Sequence, residues 1–590
     1  MIKKENKKSL KKIFAEAVAN YQKRNLKIAE SLCVKLLSID PNHFDSIFLL
    51  ANISAINNDF KKAQELLHKA NEIQPDNLST LNNLGNTYKE LGNFDESISY
   101  FQKALSINPN HPNANYNLGL IFYKLKEFKK AKNYLMKTVE VQSNYAIAFF
   151  SLGNLHVDLK EFESAVSCYQ KAIDINPNIL GAHNNLGLVF RKLNDFKNAI
   201  ICYKKAIEIK PDHAGTHHNL ALVYKELGDF KKATQSHEIA IKHEPENFSH
   251  YFYLSDLKKN IIDSKLANKI KKKIKENNTT HINASFGNYL LARYEKNNKN
   301  YEKEMNYLIE GHKHFFELKK SKFELGVKYC FNDVLQISKN INVNKLNHKF
   351  DHKIKPIFII GVPRCGSTLL EKIISSGKNL IPMGEETSIF ENYINQKILD
   401  KKSLNLGDAQ EIREELNQLY KQNDLISKKS NYTFTDKSLN NFFYLNFIKD
   451  IYPDAKIINC KRDILSSIMS IFQNNLSELA WTHNLDNIFN YFDNYLKIIN
   501  EFIKSNPDLV YQVQFENLVK NPEEESKKLM TFCNLSWDKK CLEFYKRKDI
   551  VSKTASNVQI RKSIYKHSSN KYLHYKKYLK KYEEKYSWFK

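Results

Sequence analysis

The sequence predicts two architectures in one chain of 590 residues, an N-terminal α-solenoid followed by an α/β domain built on a parallel sheet. Three observations carry this expectation. Prolines recur on a 34-residue grid through the first half of the chain. The stretch KPIFIIGVPRCGSTLLEKIISS, residues 355–376, joins an apolar β-branched run to a glycine loop and an amphipathic helix. Beyond it, apolar strand candidates at 456–460 and 510–515 alternate with helical stretches, which places ligands at the C-terminal ends of parallel strands. A chain this long also exceeds what one hydrophobic core organises.

The grid is formed by Pro41, Pro75, Pro109, Pro177, Pro211 and Pro245, with Ser143 in the vacant slot. Leu50, Leu84, Leu118, Leu152, Leu186 and Leu220 form a second column. Gly85, Gly119, Gly153 and Gly187, with Ala51 and Ala221, form a third. Small residues Ala63, Ser97, Ala131, Ala165, Ala199 and Ala233 form a fourth, where paired helices approach closely. A 34-residue period is the tetratricopeptide (TPR) signature, and each unit is a helical hairpin that buries its apolar face only by stacking on its neighbours. Roughly seven repeats are expected over 10–247, the first degenerate.

The position before each repeat leucine is polar: Asn83, Asn117, Ser151, Asn185 and Asn219. It lies on the first helix of a repeat, whose face lines the inner groove, and outside the Leu, Gly and Ala packing columns. Stacked amides can donate to and accept from a peptide backbone. The array resembles the asparagine ladder in the TPR domain of O-linked N-acetylglucosamine transferases, which implies that Asn83, Asn117, Asn185 and Asn219 bind an extended protein acceptor. The competing reading is a solvated column in an Asn-rich chain. Residues 248–350 are rich in Lys and Asn and read as helical; within them, 286–315 reads as one more helical pair, a cap and connector. The third expected domain runs from 354 to 590.

In the glycine loop, Gly361 and Gly366 have the G-x-x-x-x-G spacing of a Walker A motif, and Thr368 is available. Ser367 stands where the ATPase motif requires Lys, and the loop's cation is Arg364. Backbone N–H groups and the positive end of the helix dipole converge there to form an anion site. A guanidinium suits planar oxyanion recognition, so ATP hydrolysis and kinase chemistry are disfavoured.

The segment VPRCGSTLLEKIISS resembles the 5′-phosphosulfate loop of sulfotransferases that use 3′-phosphoadenosine 5′-phosphosulfate (PAPS). It is most similar to bacterial sulfotransferases fused to TPR repeats and to tyrosylprotein sulfotransferases. The resemblance implies cofactor contacts from Arg364, Cys365, Gly366, Ser367 and Thr368. It implies a catalytic base at the second Glu of MGEETSIFENY, Glu386, although this residue sits one position further from the loop than the family spacing, which keeps Glu385 as the alternative. Lys437, in TFTDKSLNNFFYLNFI, matches the Lys that contacts the transferring group and the bridging oxygen. Arg364 and Lys437 complete the catalytic set. Arg462 and Ser470 match the pair on the 3′-phosphate; Asn474 stands where tyrosylprotein sulfotransferases carry a further basic residue. Phe515 replaces a Tyr near the nucleotide, and Ser556 and Lys571 match later cofactor contacts. PAPS would be the co-substrate and PAP the product, with cationic side chains in place of a metal.

The formal charge of +26 is consistent with attraction of anionic ligands and equally with compositional drift toward Lys. No nucleic-acid-binding module signature is present. The N-terminus, MIKKENKKSLKKIF, is basic without an apolar core, and no apolar run is long enough to span a bilayer, so a soluble cytoplasmic protein without membrane contact is expected. The eight cysteines form no C-x-x-C pair and read as reduced thiols. The expected activity is sulfuryl transfer from PAPS to a hydroxyl acceptor, a protein side chain held by the repeat groove. The alternatives are a glycan or small-molecule acceptor with the repeats as scaffold, and a TPR interaction protein with an inactive nucleotide-binding domain. Homo-oligomerisation is left open.

Overall fold

The computed structural model describes residues 2–344, 353–378, 380–401, 403–426, 432–547, 549, 552, 554, 557–564 and 572–589. It forms two compact units, Met1–Asn219 and Leu220–Lys590.

The first half is a run of helical hairpins. They begin with Ile2–Gln22 and Leu26–Ile39 and continue through Ala214–Leu227 and Phe230–His243, into the second unit. Each grid proline follows the second helix of a hairpin, where it cannot continue the helix. Inside a hairpin the glycine column permits close approach. A Cβ on Gly85, Gly119, Gly153 or Gly187 would lie 2.6 to 2.8 Å from Phe101, Leu135, Tyr169 or Tyr203, the residue sixteen positions later in each case. A further 34-residue column emerges from the backbone: Arg24, Asn58, Gly92, Lys126, Lys160, Asn194 and Gly228 all have positive φ, between 60° and 82°. Each makes the left-handed turn between the two helices of its hairpin. Gly and Asn tolerate that conformation well, and the Lys and Arg members are held in it by the helices on either side.

The asparagine column is built into the stack. The Asn83 amide donates to Asn52 at 2.8 Å, Asn185 to Asn154 at 2.9 Å, and Asn219 to Asn184 at 3.1 Å. Asn117 accepts from Lys89 at 3.0 Å, and the Ser151 hydroxyl lies 3.2 Å from that of Tyr116. These side chains therefore couple consecutive repeats, although they lie outside the apolar packing columns.

In the second unit the connector contributes the long helices His281–Asn297 and Tyr301–Leu318, and a five-stranded parallel sheet follows. Its strands are β1 (Lys355–Gly361), β2 (Met383–Glu385), β3 (Thr433–Lys437), β4 (Lys456–Lys461) and β5 (Val510–Gln514), in the spatial order β2-β3-β1-β4-β5. The central β1 is buried on both faces from Pro356 to Gly361, which is why it reads as a continuous apolar run. The edge strand β5 is less covered: Val510 and Val513 are buried, Tyr511 and Gln514 half-buried, and Gln512 exposed. β2 and β3 were not anticipated as strands: β2 has only three residues, and β3 carries Thr435, Asp436 and Lys437, all fully buried. No helix among the described residues is long and apolar enough to cross a membrane.

Candidate active site

The strand order gathers the candidate residues along one rim. In parallel strands every C-terminal end points the same way, so the residues that leave β1 to β5 share one edge of the sheet. Across that edge run Glu386 after β2, Lys437 at the end of β3, the 361–366 loop after β1, Arg462 after β4 and Phe515 after β5. This edge is where open α/β sheets bind ligands.

The loop backbone is specialised. Gly361 and Gly366 have φ of 152° and 106°. A Cβ on Gly361 would meet the Cys460 carbonyl at 2.7 Å, and one on Gly366 would collide with the Phe515 ring. Gly366 begins the helix Ser367–Ser375 and offers no side chain to cap it, which leaves the N–H groups of the first turn to an incoming anion. Arg364 is itself left-handed, with φ of 69°. Its Nε donates to the Ser470 hydroxyl at 3.1 Å, and its carbonyl accepts from Arg462 Nη1 at 2.9 Å. The Arg462 guanidinium lies over the Phe515 ring, 5.0 Å from its centroid. Ser470 belongs to the helix Ile464–Phe472, whose first turn is capped by Asp463 accepting from the Ser466 N–H at 2.7 Å. Arg364, Arg462, Ser470 and Phe515 thus form one connected cluster. They line a cavity of about 280 Å³ that Gly366 and Asn474 also border.

Beside the loop lies an acid–lysine cluster. Lys437 is fully buried, and its Nζ donates to Glu386 Oε1 at 3.1 Å and lies 3.9 Å from Glu385 Oε1. Burial alone would lower its pKa; Glu386, Glu385 and Glu371 outweigh that and raise it, so the ammonium keeps its charge. The β2–β3 register pairs Glu385 with Lys437 directly. Glu386 follows in a left-handed conformation, φ 54°, with its side chain 57% exposed, whereas that of Glu385 is 13% exposed. Below them Glu371 is fully buried and accepts from the Thr435 hydroxyl at 2.8 Å; burial pushes its pKa up. Asp436 accepts from Tyr420 at 2.7 Å, from the Ser438 N–H at 3.0 Å and from Asn441 at 3.2 Å, which locks the end of β3. Left-handed, non-glycine residues at Arg364 and Glu386 are the kind of local cost that concentrates at working sites.

The structure therefore brings Arg364, Gly366, Arg462, Ser470 and Phe515 to one cavity and Glu386 to Lys437. Cys365 is buried, and its carbonyl accepts from the Cys460 thiol at 3.4 Å. Ser367 and Thr368 start the helix and are nearly buried. Asn83, Asn117, Asn185 and Asn219 belong to the repeats, and Ser556 and Lys571 lie outside the described residues. Sequence reasoning did not find the connector's share of the cavity, Tyr289, Lys296 and Glu304, or Lys562 from the C-terminal segment. Lys296 donates to Gln473 at 2.5 Å, and Gln473 donates to Glu304 at 2.8 Å. No local motif marks these residues within a Lys- and Asn-rich stretch.

Family models match parts of both halves of the chain. Residues 356–539 match the model of the sulfotransferase family. Tetratricopeptide-repeat models match 79–111, 100–133, 153–194, 187–228 and 216–247. The chain is similar to an uncharacterized protein of Aquifex aeolicus (strain VF5), 27% identical over 307 residues that make up 49% of this chain and 40% of that one. It is also similar to the protein-tyrosine sulfotransferase of Drosophila melanogaster, 22% identical over 205 residues, 33% of this chain and 41% of that one. The chain thus spans about two fifths of the length of these relatives, 40% and 41%. Among solved structures, MamA matches with 27% identity and a TM-score of 0.27 over 28% of this chain and 95% of its own. The TPR protein YrrB matches with 21% identity and a TM-score of 0.30 over 32% of this chain and 98% of its own. Residues 356–539 are accordingly a sulfotransferase-family domain, carried behind an array of tetratricopeptide repeats.

Proposed function

We propose that the protein transfers a sulfuryl group from PAPS to a hydroxyl acceptor. The observation that carries this reading is the shared rim, where an anion-binding loop, an arginine–serine cluster and a lysine–glutamate pair stand side by side at the ends of five parallel strands. The cationic lining of the cavity, Arg364, Arg462, Lys296 and Lys562, supports a bis-phosphorylated nucleotide as its ligand. Arg462 and Ser470 would hold the 3′-phosphate, the loop amides and Arg364 the 5′ end, and Phe515 would offer a ring to the nucleotide. Lys296 and Lys562 add cations to the cavity, where Asn474 contributes none.

In-line displacement at sulfur forms the acceptor O–S bond and breaks the bond to the bridging oxygen of the phosphosulfate. Glu386 takes the hydroxyl proton as the bond forms. Lys437 turns from Glu386 to the negative charge that grows on the leaving oxygen, and Arg364 with the loop amides steadies the sulfonate. The exposed Glu386 suits contact with an acceptor; the fully buried Lys437 suits contact with the donor.

A protein acceptor is the reading the repeats favour. A carboxamide has two N–H donors and two acceptor lone pairs, so bridging a neighbouring repeat does not exhaust the capacity of Asn83, Asn185 or Asn219 for a peptide backbone. The test is transfer of radiolabelled sulfate from PAPS into proteins of the parent cell, together with thermal shifts by PAP and ATP. Labelled protein and a shift specific to PAP are expected. Labelled glycan or small molecule would leave the repeats as scaffold, and equal shifts from ATP and PAP would overturn the nucleotide assignment.

A further inference from the structure

The turn at Gly228 is built to receive an arginine. In the left-handed column of the repeats, Gly92 has nothing within 4 Å of where a Cβ would stand. A Cβ on Gly228 would collide with the guanidinium of Arg561. Just before this turn the Glu226 carbonyl, near the end of the helix Ala214–Leu227, accepts from three groups of the C-terminal segment. Arg561 Nη2 donates to it at 3.0 Å, Asn557 Nδ2 at 3.4 Å and the Ser552 main-chain N–H at 3.4 Å. Arg561 Nε also donates to Asn557 Oδ1 at 3.2 Å, which ties the donors together. A cation at a helix C-terminus opposes the negative end of the dipole.

The same Ser552 reaches the acid cluster. Its hydroxyl donates to Glu385 Oε1 at 3.1 Å, and Ser552 and Asn557 are 1% and 2% exposed. Glu385 ends β2, a three-residue edge strand with few ladder bonds of its own. A hydrogen bond from a buried hydroxyl to its carboxylate is therefore a substantial part of what holds that strand.

We propose that Ser552 is a positioning residue, which fixes Glu385 and through it the Glu386–Lys437 pair, and that Arg561 seated on Gly228 anchors Ser552 to the last repeat hairpin. This rests on the reading of Glu386 and Lys437 as the catalytic pair. It makes the geometry of that pair depend on the Glu226–Gly228 turn, so a disturbance of the turn reaches the acids through Ser552.

Amide hydrogen exchange on the full chain, read by mass spectrometry on peptides covering 383–388, tests the coupling without any acceptor. Ser552→Ala and Gly228→Asn should each speed exchange there by about tenfold, the equivalent of one lost hydrogen bond to a charged group. Asn occupies the same turn position at 58 and 194, so Gly228→Asn leaves the turn itself acceptable. Ser552→Thr, which keeps the hydroxyl, and Gly92→Asn, which meets no neighbour, should leave 383–388 at the wild-type rate. Exchange that rises only around 226–230 in Gly228→Asn, or that is unchanged at 383–388 in Ser552→Ala, overturns the proposal. A thermal shift of the wild-type protein by PAP separates the two readings: its absence removes the nucleotide assignment and leaves the coupling standing.

Discussion

Replacing Arg462 by Met probes the heart of the nucleotide assignment. Arg462 is the residue through which the 3′-phosphate is expected to be recognised, and it also donates to the Arg364 carbonyl at 2.9 Å. A guanidinium that clamps a phosphate makes two charge-assisted bonds, each worth roughly 1.5 kcal/mol, so their loss should cost about 3 kcal/mol. At about 1.4 kcal/mol per tenfold, PAP binding should weaken by roughly 150-fold. Arg462→Lys keeps the charge without the fork and should recover about half of that in free energy, leaving a deficit of roughly tenfold. Ser470→Ala should cost about 1 kcal/mol. The double variant should fall short of additivity, because both residues act on Arg364, one through its carbonyl and one through its Nε. Calorimetric titration with PAP and, in parallel, with adenosine 5′-phosphosulfate reads all of this. The second ligand lacks the 3′-phosphate, so Arg462→Met should change its affinity little. If both ligands weaken alike, Arg462 acts by shaping the loop, and the 3′-phosphate assignment is wrong.

Two further outcomes follow from the acid cluster. Glu386→Gln should cut the rate of sulfate transfer by roughly 10²-fold or more with PAP binding near normal, measured by product release in steady state; a silent Glu386→Gln beside a damaging Glu385→Gln would move the base to Glu385. Glu371→Gln should stabilise the protein in a pH-dependent way. Burial raises the Glu371 pKa above its ordinary value of 4.5, so the native state binds its proton more tightly than the unfolded chain does. Wild-type stability is then lost as pH rises from about 4.5 through the raised native pKa, and the Gln variant escapes that loss. The difference in Tm should widen in favour of Glu371→Gln over that window, and a difference that is flat or opposite in sign would show that Lys372 and Lys437 outweigh burial.

The repeats and the strand–glycine-loop–helix unit were legible in the sequence because each is dictated by short-range rules. A hairpin that repeats every 34 residues writes its packing columns into the chain, and a glycine loop between an apolar strand and a helix is a local pattern. The left-handed column was overlooked because Arg24, Lys126 and Lys160 give no turn signal; the helices on both sides impose the conformation. β3 was hidden for the opposite reason. Its Thr435, Asp436 and Lys437 look like a polar loop, and they are tolerated in a buried strand only because Glu371, Tyr420, Asn441 and Glu386 satisfy them from four other segments. Asn441 is five residues beyond Asp436, but the other three lie 16, 51 and 64 residues from the side chains they meet. The same distance hid the cavity wall from the connector and the reach of Ser552 to Glu385. Where a buried strand breaks the apolar rule and every breach is paid by a remote partner, the local cost is being held for a purpose. Here the three buried polar residues of β3 point that purpose at one place: Asp436 fixes the strand end, Thr435 restrains Glu371, and Lys437 is left charged beside two carboxylates at the rim. A merely structural strand would be more stable with apolar residues at all three positions.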